Sequence, residues 1–373
     1  MRGTRRAQGT SRCTGRTVAA AVGQWVMPPG SRYAAHLARG LAAYEERTGR
    51  RPSEAELDVE RPAVRAAYDR FRRKLVRAPL GATAGEWAHL ELGDKRVLRE
   101  RLDGDRLDAL RQRCARDGWE LEVRALPSAT RSHAVDGADT APLRGYHAYV
   151  GRERDLLVEA ADLDGKMIPH QAAPDEHPEG ATADETRRLG ELLGYPDCCT
   201  AAFARHHGIG VDNWRPIASA AAASARFDWR LDNLTLGYLH LVAWFPCTYD
   251  CAASLAIAER VAASLRARHP DRYEAAVAPL TWPRVYFDER RQLLLDGAPA
   301  DGELRYRAVH TPYALDRQAG SAAYEWVFFA DVAETVARGD RLWLEGDELV
   351  VARSDAELSR IHAPDAVLLP FAR

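Results

Sequence analysis

The chain has 373 residues, of which 46% are hydrophobic and 28% charged, with 52 Lys+Arg set against 54 Asp+Glu. That length and balance exclude a disulfide-built miniprotein, a wholly disordered chain and a globally basic nucleic-acid binder. No run of about 18 apolar residues occurs, which argues against a membrane-spanning helix. Residues 1–26 carry five Arg and no acid and lack a long apolar stretch, so they read as a leader, with Met27 as the expected start of the folded chain.

In chain order, residues 27–144 read as a mainly helical region with a small sheet. Ser53 and Glu56 form a capping box. Behind Pro62, residues Val64, Ala67, Tyr68, Phe71 and Leu75 recur at helical spacing, with Arg65, Arg70, Arg72, Arg73, Lys74 and Arg77 opposite them. The pattern then predicts a helix over Leu98–Arg113 and a strand from Trp119 to Ala125. Residues 145–280 read as a cysteine-bearing central module. It opens with short strands at Tyr146–Val150 and Leu156–Ala160, joined through Gly151–Arg154, and continues as helices from Ala181 to Leu280. Asp162-Leu-Asp164-Gly165 resembles a piece of a calcium loop but lacks the far-end Glu. Residues 281–373 read as short strands punctuated by Asp-Gly and Gly-Asp turns, with one helix near Ala322–Arg338. The expected class is α+β in three parts, with a helical module flanked by a helical and small-sheet region and a strand-rich region.

Cysteine carries the chemistry. Of the six, Cys13 and Cys114 stand apart, whereas Cys198-Cys199 and Cys247/Cys251 come in pairs, each just after a proline. Thr182 and Glu185 cap a helix that Gly194 ends, and Pro196 starts the next. Pro246 precedes the second pair, and both pairs are expected in the first turn of a helix. There the macrodipole and unsatisfied N–H groups favour thiolate. Cys198 and Cys199 are about 100° apart on an ideal helix, which turns the two sulfurs in different directions. Neither motif has the Cys-x-x-Cys spacing usual for zinc. Two facing helix starts would still gather thiolates for a metal ion or an iron–sulfur cluster, with three or four cysteines as ligands.

The segments Leu193-Gly-Tyr-Pro-Asp-Cys-Cys-Thr-Ala-Ala-Phe203 and Phe245-Pro-Cys-Thr-Tyr-Asp-Cys-Ala-Ala-Ser254 resemble an uncharacterised prokaryotic family, domain of unknown function 483, across residues 182–265. The resemblance implies a site of Cys198, Cys199, Cys247 and Cys251 framed by Gly194, Tyr195, Pro196 and Pro246. It gives no reaction. Where that pattern often has His ahead of its Pro-Cys, this chain has Trp244.

Three functions follow as expectations. The first is a thiolate-metal enzyme, iron–sulfur ahead of zinc, acting on a small molecule in a reducing cytoplasm. The second is a structural zinc or disulfide staple in a binding module that uses the Arg-rich helix. The third is a dithiol redox protein. His206, two turns beyond Cys199, is a candidate proton carrier, and His240 a substitute zinc ligand. Asn213, Asp232 and Asn233 read as helix caps. Arg144, Arg152 and Arg154 read as surface arginines with a possible anion role, and nucleic acid is not expected as a partner.

Overall fold

The computed structural model describes residues 45, 49–50, 66–71, 73, 80–81, 83–102, 104–125, 145–172, 181–206, 214–235, 238–287, 291–312 and 322–373. The chain divides into two compact units, one of Met1–Val59 with Asp316–Ala330 and one of Glu60–Leu315 with Asp331–Arg373. All that follows concerns the second unit, apart from the first residues of the last helix, which belong to the first. The leader and the Ser53–Glu56 cap lie outside the described residues, as do Arg144 and Asn213.

The fold is α+β. Its first sheet is built from three six-residue strands. Strands β1 (Val97–Leu102), β2 (Glu120–Ala125) and β3 (Tyr146–Gly151) pair antiparallel in the order β1-β3-β2. The central strand comes from beyond residue 144, so the N-terminal stretch and the start of the cysteine-bearing stretch share one sheet. On one face Leu98, Leu102, Ala148 and Val150 pack with Trp87, Leu90, Leu107 and Leu110 from helices α1 (Ala84–Glu91) and α2 (Gly104–Asp117). On the other, Val97 and Tyr149 pack on Leu157, Ala160 and Ala161 of α3 (Arg154–Ala172).

Two expectations are corrected here. Val97–Leu102 is strand, and the predicted helix begins only at Gly104, because alternation along β1 buries residues against helices on both sides of the sheet. Leu156–Ala160 is helix, since its short apolar run continues through Ala161 and Asp164 along one buried helical face.

Helix α4 (Ala183–Leu192) carries the expected capping box. Thr182 accepts from the Glu185 N–H, and the Glu185 carboxylate accepts from the Thr182 N–H. Gly194 ends the turn at φ +73°, and a Cβ there would stand 2.6 Å from the Asp94 carbonyl oxygen. Both handedness and close approach therefore require glycine. Helix α5 (Asp197–Ala204) starts directly after Pro196. Helix α6 (Trp214–Ala223) and a short 3-10 turn (Trp229–Leu231) follow.

Between Asp232 and Cys251 the described chain forms no helix or strand, although helix was expected throughout. The segment is a buried irregular run whose backbone is served by side chains. The Asn233 amide donates to the Trp244 carbonyl at 2.6 Å, and the Gln292 amide to the Leu234 carbonyl at 2.8 Å. Leu234, Tyr238, Leu239, Leu241, Val242, Trp244 and Tyr249 meanwhile fill the main core. Asp232 and Asn233 are thus packing ties rather than helix caps.

Helices α7 (Ala252–Arg268) and α8 (Pro270–Val277) lead into the C-terminal sheet. Its strands are β4 (Arg284–Tyr286), β5 (Gln292–Ala300), β6 (Glu303–His310), β7 (Arg341–Glu345), β8 (Glu348–Arg353), β9 (Ala356–His362) and β10 (Val367–Leu369). They run antiparallel in the order β10-β4-β5-β6-β7-β8-β9. Asp301-Gly302 and Gly346-Asp347 make the expected turns, and α9 spans Ala322–Arg338 as anticipated. No described helix is long and apolar enough to cross a membrane.

Candidate metal centre

The start of α5 and the end of the irregular segment bring four thiols together. The sulfurs of Cys198, Cys199, Cys247 and Cys251 all lie within 4.8 Å of one another. Three of them form a triangle, with Cys198–Cys251 at 3.6 Å, Cys199–Cys251 at 3.8 Å and Cys198–Cys199 at 3.9 Å. Cys199 and Cys251 are buried, Cys247 is half-buried and Cys198 is exposed. The group therefore has a closed inner side and one member at the surface. Cys114 is buried in the packing beneath the first sheet and takes no part.

The adjacent cysteines do not diverge as an ideal helix wheel suggests. Side chains tilt toward the helix N-terminus, so residues of a first turn can meet over the helix start. The second pair also differs from expectation. Only Cys251 touches a helix, as the residue capping α7, while Cys247 belongs to the irregular segment. Pro246 therefore lies within the irregular segment instead of opening a helix, and proximity in space replaces the expected one-turn stacking.

A polar scaffold holds the buried side. The Trp244 indole N–H donates to the Ser254 hydroxyl at 3.0 Å. That leaves the hydroxyl hydrogen for the Cys199 sulfur, 3.2 Å away. The Cys247 N–H also donates to Cys199, at 3.4 Å. Such donors favour charge on sulfur.

Without metal the proton distribution is uneven. Cys251 is held down to about 4, first by a hydrogen bond from the Cys199 thiol, against burial, and then by the Ser254 N–H. Cys199 is correspondingly raised, by its bond to Cys251 and by burial. Cys247 is pushed up to about 11, by burial first and then by Cys251. One thiolate shared among thiols is what electrostatics permits, and gathering more charge requires a cation.

Beneath the scaffold lies a layer of polar groups that sequence spacing gave no reason to connect with the cysteines. His89 stacks on Trp244 with centroids 5.5 Å apart, and Tyr195 lies on Trp244 at 5.2 Å. Burial, then the Lys95 ammonium, lowers His89 to about 4. Glu86 forms a buried pair with Lys95, and the His240 Nε2 stands 3.9 Å from a Glu86 oxygen. Burial alone would raise the Glu86 carboxyl, but Lys95 and then His240 bring it below the ordinary range. No signal in the sequence pointed to this layer, because α1 and β1 precede the first cysteine pair by about a hundred residues.

The histidine candidates fall outside the four-sulfur group. His206 sits in the turn after α5, lowered by burial and by Arg205 and Arg215. His240 faces Glu86. Of the arginines, Arg70 donates to the Val309 carbonyl at 2.8 Å and so serves packing. Arg152 lies over the Trp119 ring, and Arg154 pairs with Glu120 and Glu122.

No family model matches the chain, and neither a curated protein nor a solved structure does.

Proposed function

We propose that the protein is a thiolate-metal enzyme acting on a small molecule, with one ion held by Cys198, Cys199, Cys247 and Cys251. The observation that carries this reading is the sulfur triangle of 3.6 to 3.9 Å. A zinc–sulfur bond of about 2.3 Å at tetrahedral angles separates its ligand sulfurs by about 3.8 Å. That match supports a single ion, with zinc as the first candidate, over an iron–sulfur cluster. In a cluster the cysteines bind different irons, which spreads their sulfurs further apart. The donor set agrees, since four soft thiolates suit zinc and iron.

The buried Cys199 and Cys251 and the half-buried Cys247 would anchor the ion, and Cys198 would face solvent, where a substrate atom meets it. When bound, the ion supplies Lewis-acid polarisation. The chain's own residues exclude water on the inner side and orient Cys199 through Ser254 and Trp244. The resemblance to domain of unknown function 483 belongs to this proposal, as does a reducing, cytoplasmic setting that keeps the thiols free.

A purely structural zinc site is the second reading. It is favoured by the position of the group at the end of the irregular 232–251 segment, which an ion would clamp. Cys247→Ser tests both, with bound metal assayed in purified protein. Metal falls to a small fraction of the wild-type content if the site is as described, and full retention contradicts it. Cys198→Ser separates the two, because an enzyme with an exchangeable outer ligand keeps metal while a closed structural site loses most of it.

A further inference from the structure

Strand β1 turns Val97, Arg99 and Arg101 to one face, as the two-residue period of a strand requires. Val97 is buried in the cluster that includes Tyr195, Arg99 is 34% exposed, and Arg101 is exposed. This face thus runs from the core, beside the residue that stacks on Trp244, out to solvent. Opposite in register on β3 stand Tyr149 and His147.

One buried carboxylate organises the face. Asp164 of α3 is 1% exposed. One of its oxygens accepts from the Arg99 guanidinium at 2.5 Å. The other faces the His147 Nδ1 at 2.8 Å and accepts from the Tyr149 hydroxyl at 2.7 Å. Burial would raise this carboxyl, but Arg99 and then His147 and Tyr149 hold it far below its usual range. Asp164 is therefore occupied on both oxygens. Arg99 has donors to spare, since a guanidinium carries five N–H groups.

Arg101 stands opposite His147 in register at the exposed end of this face, with no ion pair or hydrogen bond among the described residues. Arg99 is the cation that Asp164 holds, and Arg101 continues the same face toward solvent. Residues i and i+2 of a strand stand about 6.7 Å apart, which lets two guanidinium groups converge on one small anion.

We propose that Arg99, Arg101 and His147 form a binding site for an oxyanion, the carboxylate or phosphate group of a small molecule. Asp164 and Tyr149 are positioning residues that fix Arg99 and His147. Tyr195 links this face to the cysteine centre, and the assignment of the anion to that centre's substrate rests on the metal-enzyme reading. The oxyanion contact itself does not.

The test is calorimetric titration of the full-length protein, as purified, with inorganic phosphate and separately with sodium acetate, with metal content measured on the same samples. Wild type binds at least one of the two saturably, and the tighter one names the group recognised. Arg101→Gln, a change at an exposed position, weakens that binding several-fold, and Arg99→Gln by about tenfold or more, the loss expected for a charge-assisted bond. Arg99→Lys recovers part of the loss, because charge returns without the planar fork. Arg111→Gln on α2, where Arg111 pairs only with Asp108, leaves it unchanged. Absence of saturable binding to both anions, or equal affinity in wild type and Arg101→Gln, overturns the proposal. Lost anion binding in protein with full metal content counts against this site alone. Intact anion binding in protein without metal counts against the metal reading alone.

Discussion

Two polar clusters sit at opposite ends of the irregular 232–251 segment, and they solve burial differently. At the start, Asp232 and Arg284 pair with neither side chain exposed, and the Arg284 guanidinium also donates to Thr235 at 2.7 Å and Gln292 at 2.6 Å. Asp232 accepts the Leu234 N–H as well. Charge meets charge within the protein, and the cluster is closed. At the far end, four thiols meet one another, with Cys198 open to solvent. The first cluster carries its own counter-charge as folded. The second is a set of ligands whose mutual repulsion on ionisation only a bound cation relieves.

The strongest way to break the closed end is Arg284→Met, which strands the Asp232 carboxylate in the core. Urea denaturation should show a loss of about 3–5 kcal/mol, the cost typical of orphaning a buried charge. Adding Asp232→Leu should return much of it, while metal content per folded molecule stays at the wild-type level. An equal loss of metal and stability would mean that the two ends are not separable.

The open end is sharpened by pH. In metal-free protein Cys251 stays ionised down to about 4, whereas an unfolded thiol releases its proton near about 8.5. The unfolded chain therefore binds more protons between those values, and stability rises with pH across that window. This contribution is complete above the unfolded value and is lost as pH falls through the folded one. Cys199 and Cys247 act in the opposite sense. Their raised values make the folded chain the better proton binder above about 8.5, so stability declines there. Denaturation midpoints of the metal-free protein should peak between the two limbs. Cys251→Ser should flatten the rising limb relative to wild type, and an unchanged slope would contradict the shared-thiolate picture.

The smallest effect probes the scaffold. Trp244→Phe keeps a ring against His89 and Tyr195 but removes the N–H that fixes Ser254. It should cost about 1 kcal/mol, as for a single hydrogen bond, with metal retained. A loss of bound metal along with the stability would contradict a supporting role for that N–H.

Much of this was legible from local chemistry. The Thr182–Glu185 box, the stop at Gly194 and the restart after Pro196 depend on nearest-neighbour backbone needs, so residue type alone reveals them. The turns at Asp301-Gly302 and Gly346-Asp347 are legible for the same reason. The four cysteines could be singled out, but their geometry was not, because Cys247 is placed by Asn233, Trp244 and Ser254 and not by a helix of its own. The run from Leu156 was misread because a short apolar stretch suits either strand or helix until its partner is known. Arg99, Arg101 and Asp164 were invisible as a site, since strand pairing and helix packing assemble them from three separate elements.

The central claim is that four sulfurs surround one ion. Metal-edge X-ray absorption on freshly purified, oxygen-protected protein, combined with acid-labile sulfide analysis, addresses it directly. The account predicts one metal per chain, four sulfur neighbours at about 2.3 Å, no second metal shell and no sulfide. Several irons with matching sulfide, or protein without stoichiometric metal, would contradict it.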